Sequence, residues 1–329
     1  MFYLPPLTTA NEDIYYKMVS PRVVKALSVS TLSPNAKAFL NTARIKSIIC
    51  DQPKDLLNHH NDLLPELSPG FTPAIYDDYL EAQKKLKARK TRLDKRLIRI
   101  YKPILAALSA VFNYNKFISA HKVTSYNLAK ILDCNTCTYC NRLYTTTILG
   151  NGRLNNSKRI ARPNYDHWYS HSKYPILSLS IYNLIPSCTV CNSSIKGSVD
   201  FSLTNFVHPY DNVATQDFSF DYKYQNIHVN NVTINVLAKS KMANTLNAFK
   251  IQEVYNEHSA FELKDLLELR YKYSENYLDT LFNKTFKLPV GEKEAYRMIF
   301  GTEYEDVDHR KRPFSKFKKD ILEKLGVNF

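Results

Sequence analysis

The hydrophobic pattern is clearest at residues 77–102. Apolar side chains recur there at roughly helical spacing, and most positions between them are Lys or Arg. Two aspartates at the beginning suit a helix N-terminus, and Pro103 predicts a break or kink at the other end. The pattern therefore predicts one long amphipathic helix with a basic face. The apolar run at 104–118 predicts a buried helix that follows it.

Prolines and polar clusters punctuate the first half of the chain. Eight prolines within residues 1–75 predict loops with short helical pieces, in which we interpret His59 and His60 as a surface pair. Residues 126–132 predict a short helix. The β-branched and aromatic run at 143–149, followed by Gly-Asn-Gly at 150–152, predicts a strand that enters a hairpin.

The second half of the chain mixes strand and helix patterns. Alternating polar and apolar residues at 218–236 predict a small antiparallel sheet, and an apolar stripe at 243–286 predicts helices. A short helix at 317–325 should end at Gly326. The fold class we expect is α+β, mostly helical with a small antiparallel sheet. The expected parts are a helical N-terminal region (1–133), a Cys-rich core (134–205), and a C-terminal sheet with helices (206–329).

Charge narrows the class of partner. The 329 residues have a formal net charge of +14. This excess indicates a polyanionic partner, most simply nucleic acid; an anionic membrane surface or a merely soluble basic protein are the alternatives. We find neither a signal-peptide pattern nor the roughly 20 apolar residues that a membrane span requires, so we expect a cytoplasmic protein without a membrane partner. The candidate phosphate contacts of the basic segment are Lys84, Lys87, Arg92 and Arg96.

Cysteine spacing predicts a structural metal site. Five of the six cysteines lie between residues 134 and 191, and disulfides are rare in the cytosol. Cys137 and Cys140 form one C-x2-C pair, and Cys188 and Cys191 form another. Two such pairs supply the four thiolates of a closed tetrahedral zinc site. Cys134 with Cys137 has the same spacing, so an alternative first pair stays open, although Cys134 falls at the end of a predicted helix.

Polar residues between the cysteine pairs suit phosphodiester hydrolysis. Asp166 and His167 are adjacent, and strand neighbours point to opposite faces unless the strand ends there. A carboxylate can bind a divalent metal while a neutral imidazole activates water. Asn183 follows, and Asn192 comes directly after the second cysteine pair. Oxygen ligands suit Mg²⁺ or Mn²⁺, so we expect a structural zinc ion and a catalytic Mg²⁺ or Mn²⁺ ion.

The order of these motifs resembles the HNH, or His-Me finger, endonucleases. It runs C-x2-C, Asp-His, Asn and C-x2-C-Asn over about 70 residues. The stretches 166–168, 172–175 and 183–188 are similar to the HNH nucleases of bacterial anti-phage systems, such as the PtuB component of Septu and retron-associated effectors. The chain departs from the pattern at Ser170, where many HNH proteins have proline, and this puts the shape of the loop in doubt.

The resemblance implies a fold, residue roles and partners. The fold is a zinc-stabilised ββα-metal core. His167 is the general base, Asp166 and Asn192 hold the catalytic metal, and Asn183 orients the loop or the base. The resemblance also implies an anti-phage effector with an ATPase partner of the ABC or SMC type. Further candidates are Lys173 and Lys196 as phosphate contacts and His208, which is either a ligand, an orienting residue or a structural histidine.

Three functions fit these residues. The preferred one is a metal-dependent endonuclease that acts on nucleic acid, with DNA favoured. The first alternative is an RNase or tRNA-cleaving toxin built on the same core, because HNH chemistry attacks the phosphate and the base pocket is not readable. The second is a zinc-dependent nucleic-acid-binding module without catalysis, against which the intact set of polar residues argues.

Overall fold

Helices make up most of the structure. The computed structural model describes residues 3–150, 159–197, 199–226, 229–272, 280 and 292–327. The mostly helical α+β class is confirmed, as are the helices expected at 126–132 and 317–325. The helices of the described residues are α1 (Thr9–Ser28), α2 (Pro34–Phe39), α3 (Thr42–Cys50), α4 (Pro53–Leu67), α5 (Pro73–Lys84), α6 (Arg92–Val111), α7 (Lys122–Leu132), α8 (Lys241–Ala248), α9 (Ile251–Asn256), α10 (Lys264–Lys272), α11 (Glu292–Phe300) and α12 (Ser315–Lys324).

The N-terminal region is helical, so the prediction of loops at residues 1–75 was wrong. Pro34, Pro53 and Pro73 occupy first-turn positions of α2, α4 and α5, where the missing N–H has no intrahelical acceptor to lose. Ser33 and Thr72 cap two of these helices by accepting a hydrogen bond from a backbone N–H three residues later. Three of the eight prolines that suggested loops therefore begin helices, and two more, Pro21 and Pro65, lie inside helices.

The basic segment is two helices rather than one. The first, α5, ends at Lys84; a short 3-10 turn, Lys87–Arg89, follows, and α6 begins at Arg92. A capping box starts α6: the Thr91 hydroxyl accepts from the Asp94 N–H at 3.1 Å, and the Asp94 carboxylate accepts from the Thr91 N–H at 2.7 Å. The helix then continues through Pro103 to Val111, and the expected buried helix at 104–118 is mostly its second half.

The two neighbouring histidines of α4 are buried, so their interpretation as a surface pair was wrong. The Nε2 of His59 lies 2.8 Å from a carboxylate oxygen of Asp51. The ring of His60 is 1% exposed and packs edge-on against Tyr76 and Tyr174, with centroid distances of 4.6 and 5.0 Å. This aromatic packing joins α4 to α5 and to the loop that precedes residue 175.

Three antiparallel strand pairs complete the described structure. They are β1 (Ile148–Leu149) with β2 (Arg159–Ala161), β3 (Asn164–His167) with β4 (Leu184–Ser187), and β5 (Phe218–Asn226) with β6 (Val229–Val236). The third pair confirms the small sheet expected at 218–236. The strand expected at 143–149 is present only in its last two residues, and residues 151–152 of the expected hairpin turn lie outside the described residues, as does most of 273–291.

Buried hydrophobic residues from all three expected parts of the chain form one contiguous cluster. The boundaries at 133/134 and 205/206 therefore stay predictions. Among the described residues, no helix combines the length and the apolar character that crossing a membrane requires.

Buried histidines should make the fold sensitive to acid. Burial lowers the pKa of His60 and of His208 to about 3, and that of His309 to about 4. The unfolded chain binds these protons near pH 6.5, so the free energy of unfolding should fall below that pH, by up to about 1.4 kcal/mol per pH unit for each histidine. Denaturant unfolding between pH 7.5 and pH 4.5 measures this loss.

A His60→Phe variant isolates the contribution of one ring. It keeps an aromatic side chain against Tyr76 and removes the titrating group, while all other acid-sensitive groups stay the same. Its unfolding free energy should decline less steeply below pH 6.5 than that of the parent protein. Equal slopes in the two proteins would contradict the assignment.

Candidate metal centre and active site

Four cysteines converge on one point. Their Sγ atoms all lie within 4.8 Å of one another, and all four side chains are buried. A tetrahedral zinc ion with Zn–S bonds of about 2.3 Å places its sulfurs about 3.8 Å apart, which fits this spacing. The chain thus has a buried four-cysteine cluster that can hold a structural metal such as zinc. Its members are Cys137, Cys140, Cys188 and Cys191.

The alternative pairing through Cys134 is not supported. The Cys134 thiol is not among the four converging thiols, and it donates to the carbonyl of Thr136 at 3.1 Å. Burial raises its pKa to about 11, as expected for a thiol among apolar neighbours. In contrast, hydrogen bonds from Cys137 and from the other two cluster thiols lower the pKa of Cys188. The pKa values of Cys137 and Cys191 are raised, so the four thiols of the cluster share their protons unevenly, and the exclusion of Cys134 rests on the geometry.

A C-terminal segment fastens the first cysteine pair. Asn141, directly after Cys140, has a positive φ of 50°, a conformation that asparagine tolerates better than most residues. Its amide donates to the carbonyls of His309 and Arg312, and its own carbonyl accepts from the Phe314 N–H at 2.7 Å. Residues far apart in the chain therefore hold the turn that carries two of the thiols.

The other two thiols of the cluster, Cys188 and Cys191, follow the paired strands β3 and β4 in the chain. In the pairing of β3 with β4, His167 lies opposite Leu184 and Asp166 opposite Ile185. A helical turn, Val190–Ile195, comes directly after and carries Asn192. Because β3 ends at His167, the two neighbouring side chains both line one cavity, as the sequence suggested for a strand end.

A backbone carbonyl orients His167. Its Nε2 lies 3.0 Å from the carbonyl oxygen of Ser178. A carbonyl only accepts, so Nε2 carries the hydrogen and Nδ1 keeps the lone pair that a general base needs. Burial lowers the pKa of His167 to about 3, which keeps the ring neutral at physiological pH. The rings of Tyr114 and His171 pack beside it, with centroids at 4.5 and 4.7 Å.

Two donors hold one oxygen of Asp166. Its Oδ2 accepts from the Tyr139 hydroxyl at 2.5 Å and from the Lys196 ammonium at 2.7 Å. Within the part of the chain that the structure describes, Oδ1 makes no hydrogen bond and is left for another ligand. Sequence reasoning missed Tyr139, which lies inside the first C-x2-C pair; a polar-tipped residue between two metal ligands was the available signal.

Asn183 orients the loop rather than contacting the cavity. Its side-chain oxygen accepts from the Tyr169 N–H at 2.6 Å, and its amide donates to the carbonyls of Tyr169 and Leu177 at 3.0 Å. Leu177 precedes Ser178, whose carbonyl holds His167. Of the two roles expected for Asn183, orientation of the loop is therefore direct, and orientation of the base follows through Ser178.

A cavity of about 770 Å³ opens over these residues. Asp166, His167 and Asn192 line it together, and Leu80 and Gln83 of α5 form part of its wall. Cationic or imidazole side chains are prominent in the lining: Lys84, Arg162, His171, Lys173 and Lys196. The cavity thus brings together three of the four expected catalytic residues, Asp166, His167 and Asn192, and three of the expected phosphate contacts, one of which, Lys84, lies at the end of the basic segment.

The other expected residues lie outside this cavity. Lys87, Arg92 and Arg96 are exposed on the turn and on the first part of α6. His208 is 2% exposed and packs against Trp168 with a centroid distance of 4.6 Å, and its Nδ1 accepts from the Tyr210 N–H. Of its three expected roles, this placement favours the structural histidine.

Comparisons of the chain with models of protein families, with curated proteins and with solved structures found no match.

The metal centre can be tested by substituting one cysteine inside the cluster and one cysteine outside it. Cys188→Ser should release the metal and lower the melting temperature, because a structural zinc ion contributes its binding free energy to folding. Cys134→Ser changes a buried thiol outside the cluster and should keep about one zinc ion per chain. Elemental analysis and thermal unfolding measure both effects. Full zinc content in Cys188→Ser would refute the site.

Proposed function

We propose that this protein is a metal-dependent endonuclease of the HNH, or His-Me finger, type. The observation that carries the proposal is the neutral His167, oriented by a backbone carbonyl, beside Asp166 in a cavity lined by cations. The hairpin β3–β4 and the helical turn after it would be the ββα-metal core, with the four-cysteine cluster as its structural metal site.

The donor set in the cavity fits a hard divalent ion. Asp166 has an oxygen without a hydrogen-bond partner among the described residues, and the Asn192 side chain lines the same cavity. Carboxylate and amide oxygens suit Mg²⁺ or Mn²⁺. These two residues would hold the ion, which when bound supplies charge stabilisation at the scissile phosphate.

His167 would accept the proton of the attacking water at Nδ1. Its Nε2–H stays on the Ser178 carbonyl, so the ring keeps its orientation while the proton moves. A phosphate anion in the cavity would stabilise the imidazolium that forms when the ring accepts this proton.

Cations of the cavity and of the basic segment would bind the nucleic-acid backbone. Lys84 lines the cavity at the end of α5, and the exposed Lys87, Arg92 and Arg96 follow it on the turn and α6. Together with the net charge of +14, this continuity favours a polyanionic chain over a small substrate. The substrate we propose is DNA. By resemblance the protein would serve in anti-phage defence beside an ABC- or SMC-type ATPase.

Substitution of the base tests the chemistry. His167→Ala should reduce cleavage of DNA in Mg²⁺ or Mn²⁺ by about 10²–10⁴-fold, because it removes the general base. Nucleic-acid affinity and zinc content should stay near those of the parent. His258→Ala, which changes a histidine that contacts Arg142 away from the cavity, is the matched control and should cleave normally. Plasmid, single-stranded DNA and RNA should be assayed in parallel.

The pH profile adds a second readout. Only the neutral imidazole accepts a proton, and burial lowers the pKa of His167 to about 3 in the free protein. Therefore kcat/KM should not fall as the pH drops through 6.5, provided the protein remains folded.

Undiminished cleavage by His167→Ala, in a preparation free of contaminating nuclease, would place the catalytic centre elsewhere.

Charge reversal tests the binding of the nucleic-acid backbone. In the triple variant Lys87→Glu, Arg92→Glu and Arg96→Glu, DNA binding should weaken and depend less on salt, by about 0.9 in the log–log slope for each phosphate that the variant no longer neutralises. Reversal of three exposed lysines of the N-terminal helices, Lys17, Lys25 and Lys54, is the control for net charge alone. If both triple variants bind equally, the basic segment has no specific role.

A further inference from the structure

The ammonium of Lys196 is buried at the candidate active site. It donates to Oδ2 of Asp166 and to the carbonyl of His167, each at 2.7 Å, and lies 4.9 Å from the ring centroid of Phe201. The residue is 6% exposed, yet it belongs to the lining of the cavity. The side chain therefore already supplies a positive charge to the carboxylate that a catalytic metal would use.

A divalent ion bound to Asp166 and the ammonium of Lys196 would repel each other. With both on the Asp166 carboxylate, like charges would lie a few ångströms apart in a buried setting, where screening by water is weak. The Tyr139 hydroxyl donates to the same oxygen at 2.5 Å. Because this hydroxyl is neutral, it would not repel the ion. Of the two partners of Asp166, Tyr139 is therefore compatible with a bound metal, whereas Lys196 disfavours one.

Lys196 is also able to move. It directly follows the helical turn Val190–Ile195, and its backbone N–H donates to the carbonyl of Cys191 at 3.1 Å. The backbone is thereby held while the four-carbon side chain keeps its rotatable bonds. The cavity beside it has room for the ammonium, and the ligand expected there is a phosphate.

We propose that Lys196 is an exchange cation. In the metal-free protein it neutralises the buried Asp166 and keeps the carboxylate in place. When the divalent ion binds Asp166, Lys196 leaves Oδ2 and contacts a phosphate of the nucleic acid. Metal binding and substrate binding are coupled because the same ammonium cannot serve both partners. This inference rests on the proposed nuclease function for the identity of the phosphate ligand.

Lys196→Met removes the charge and keeps a long, flexible side chain. It leaves Asp166 charged and buried with only Tyr139 as its partner. The metal-free variant should therefore melt at a lower temperature than the parent. Mn²⁺ no longer has to displace an ammonium, so its affinity should rise at least tenfold, and Mn²⁺ should raise the melting temperature more than in the parent.

The assay is titration of the zinc-loaded 329-residue protein with Mn²⁺, followed by calorimetry and by thermal unfolding. Lys173→Met is the matched control, because Lys173 lines the same cavity but pairs with Asp200 at 2.7 Å. Its Mn²⁺ affinity should change far less than that of Lys196→Met. Equal gains in the two variants would reduce the effect to general electrostatics and overturn the exchange, as would unchanged or weaker Mn²⁺ binding by Lys196→Met.

DNA binding in a His167→Ala background tests the second half of the exchange. Lys196→Met should weaken DNA binding several-fold in Mn²⁺. Without metal the loss should be much smaller, because the ammonium of Lys196 in the metal-free parent protein is bound to Asp166 and does not contact DNA. Equal losses under both conditions would overturn the proposed move to phosphate. Cleavage by the parent protein is scored separately: a parent that binds Mn²⁺ but cuts no nucleic acid refutes the nuclease function, whereas the Mn²⁺ titration alone decides the exchange at Asp166.

Discussion

The convergence of four cysteine thiols is the constraint on which the candidate site depends. Cys137 and Cys140 lie on a turn held by the C-terminal segment, and Cys188 and Cys191 follow the strand pair β3–β4, whose first strand ends in Asp166 and His167. Because the hydroxyl of Tyr139, between the first two thiols, binds Asp166, the cluster also sets the position of the carboxylate. A structural metal bound by the cluster would therefore help to position Asp166 as well as the fold.

A series of buried hydrogen bonds links the loop to His167. Asn183 holds the loop, the loop presents the Ser178 carbonyl, and that carbonyl selects the tautomer of His167. Leaving a buried donor or acceptor unpaired typically costs about 1–3 kcal/mol, so this arrangement is stable only as a set. The buried pair of Asp166 and Lys196 differs from the others because both partners are charged.

Local sequence signals explain both the successes and the errors of prediction. The alternation at 218–236 and the apolar spacing at 317–325 are periodic, and the structure has the expected sheet and helix there. Prolines misled because a proline in the first turn of a helix looks like a loop signal until the helix is known. The break between α5 and α6 was legible in the capping pair Thr91 and Asp94, which the strong basic periodicity obscured.

By itself the sequence determined which chemical groups are available: two C-x2-C pairs, adjacent Asp and His residues at the end of a strand, and a large positive charge. These are properties of residue type and short spacing, which local physics constrains. Only the tertiary structure decided that Cys134 is excluded, that His60 is buried, and that Lys196 pairs with Asp166. Each of these depends on a contact between residues distant in the chain, or on burial by other elements, and no local pattern specifies which distant groups will meet.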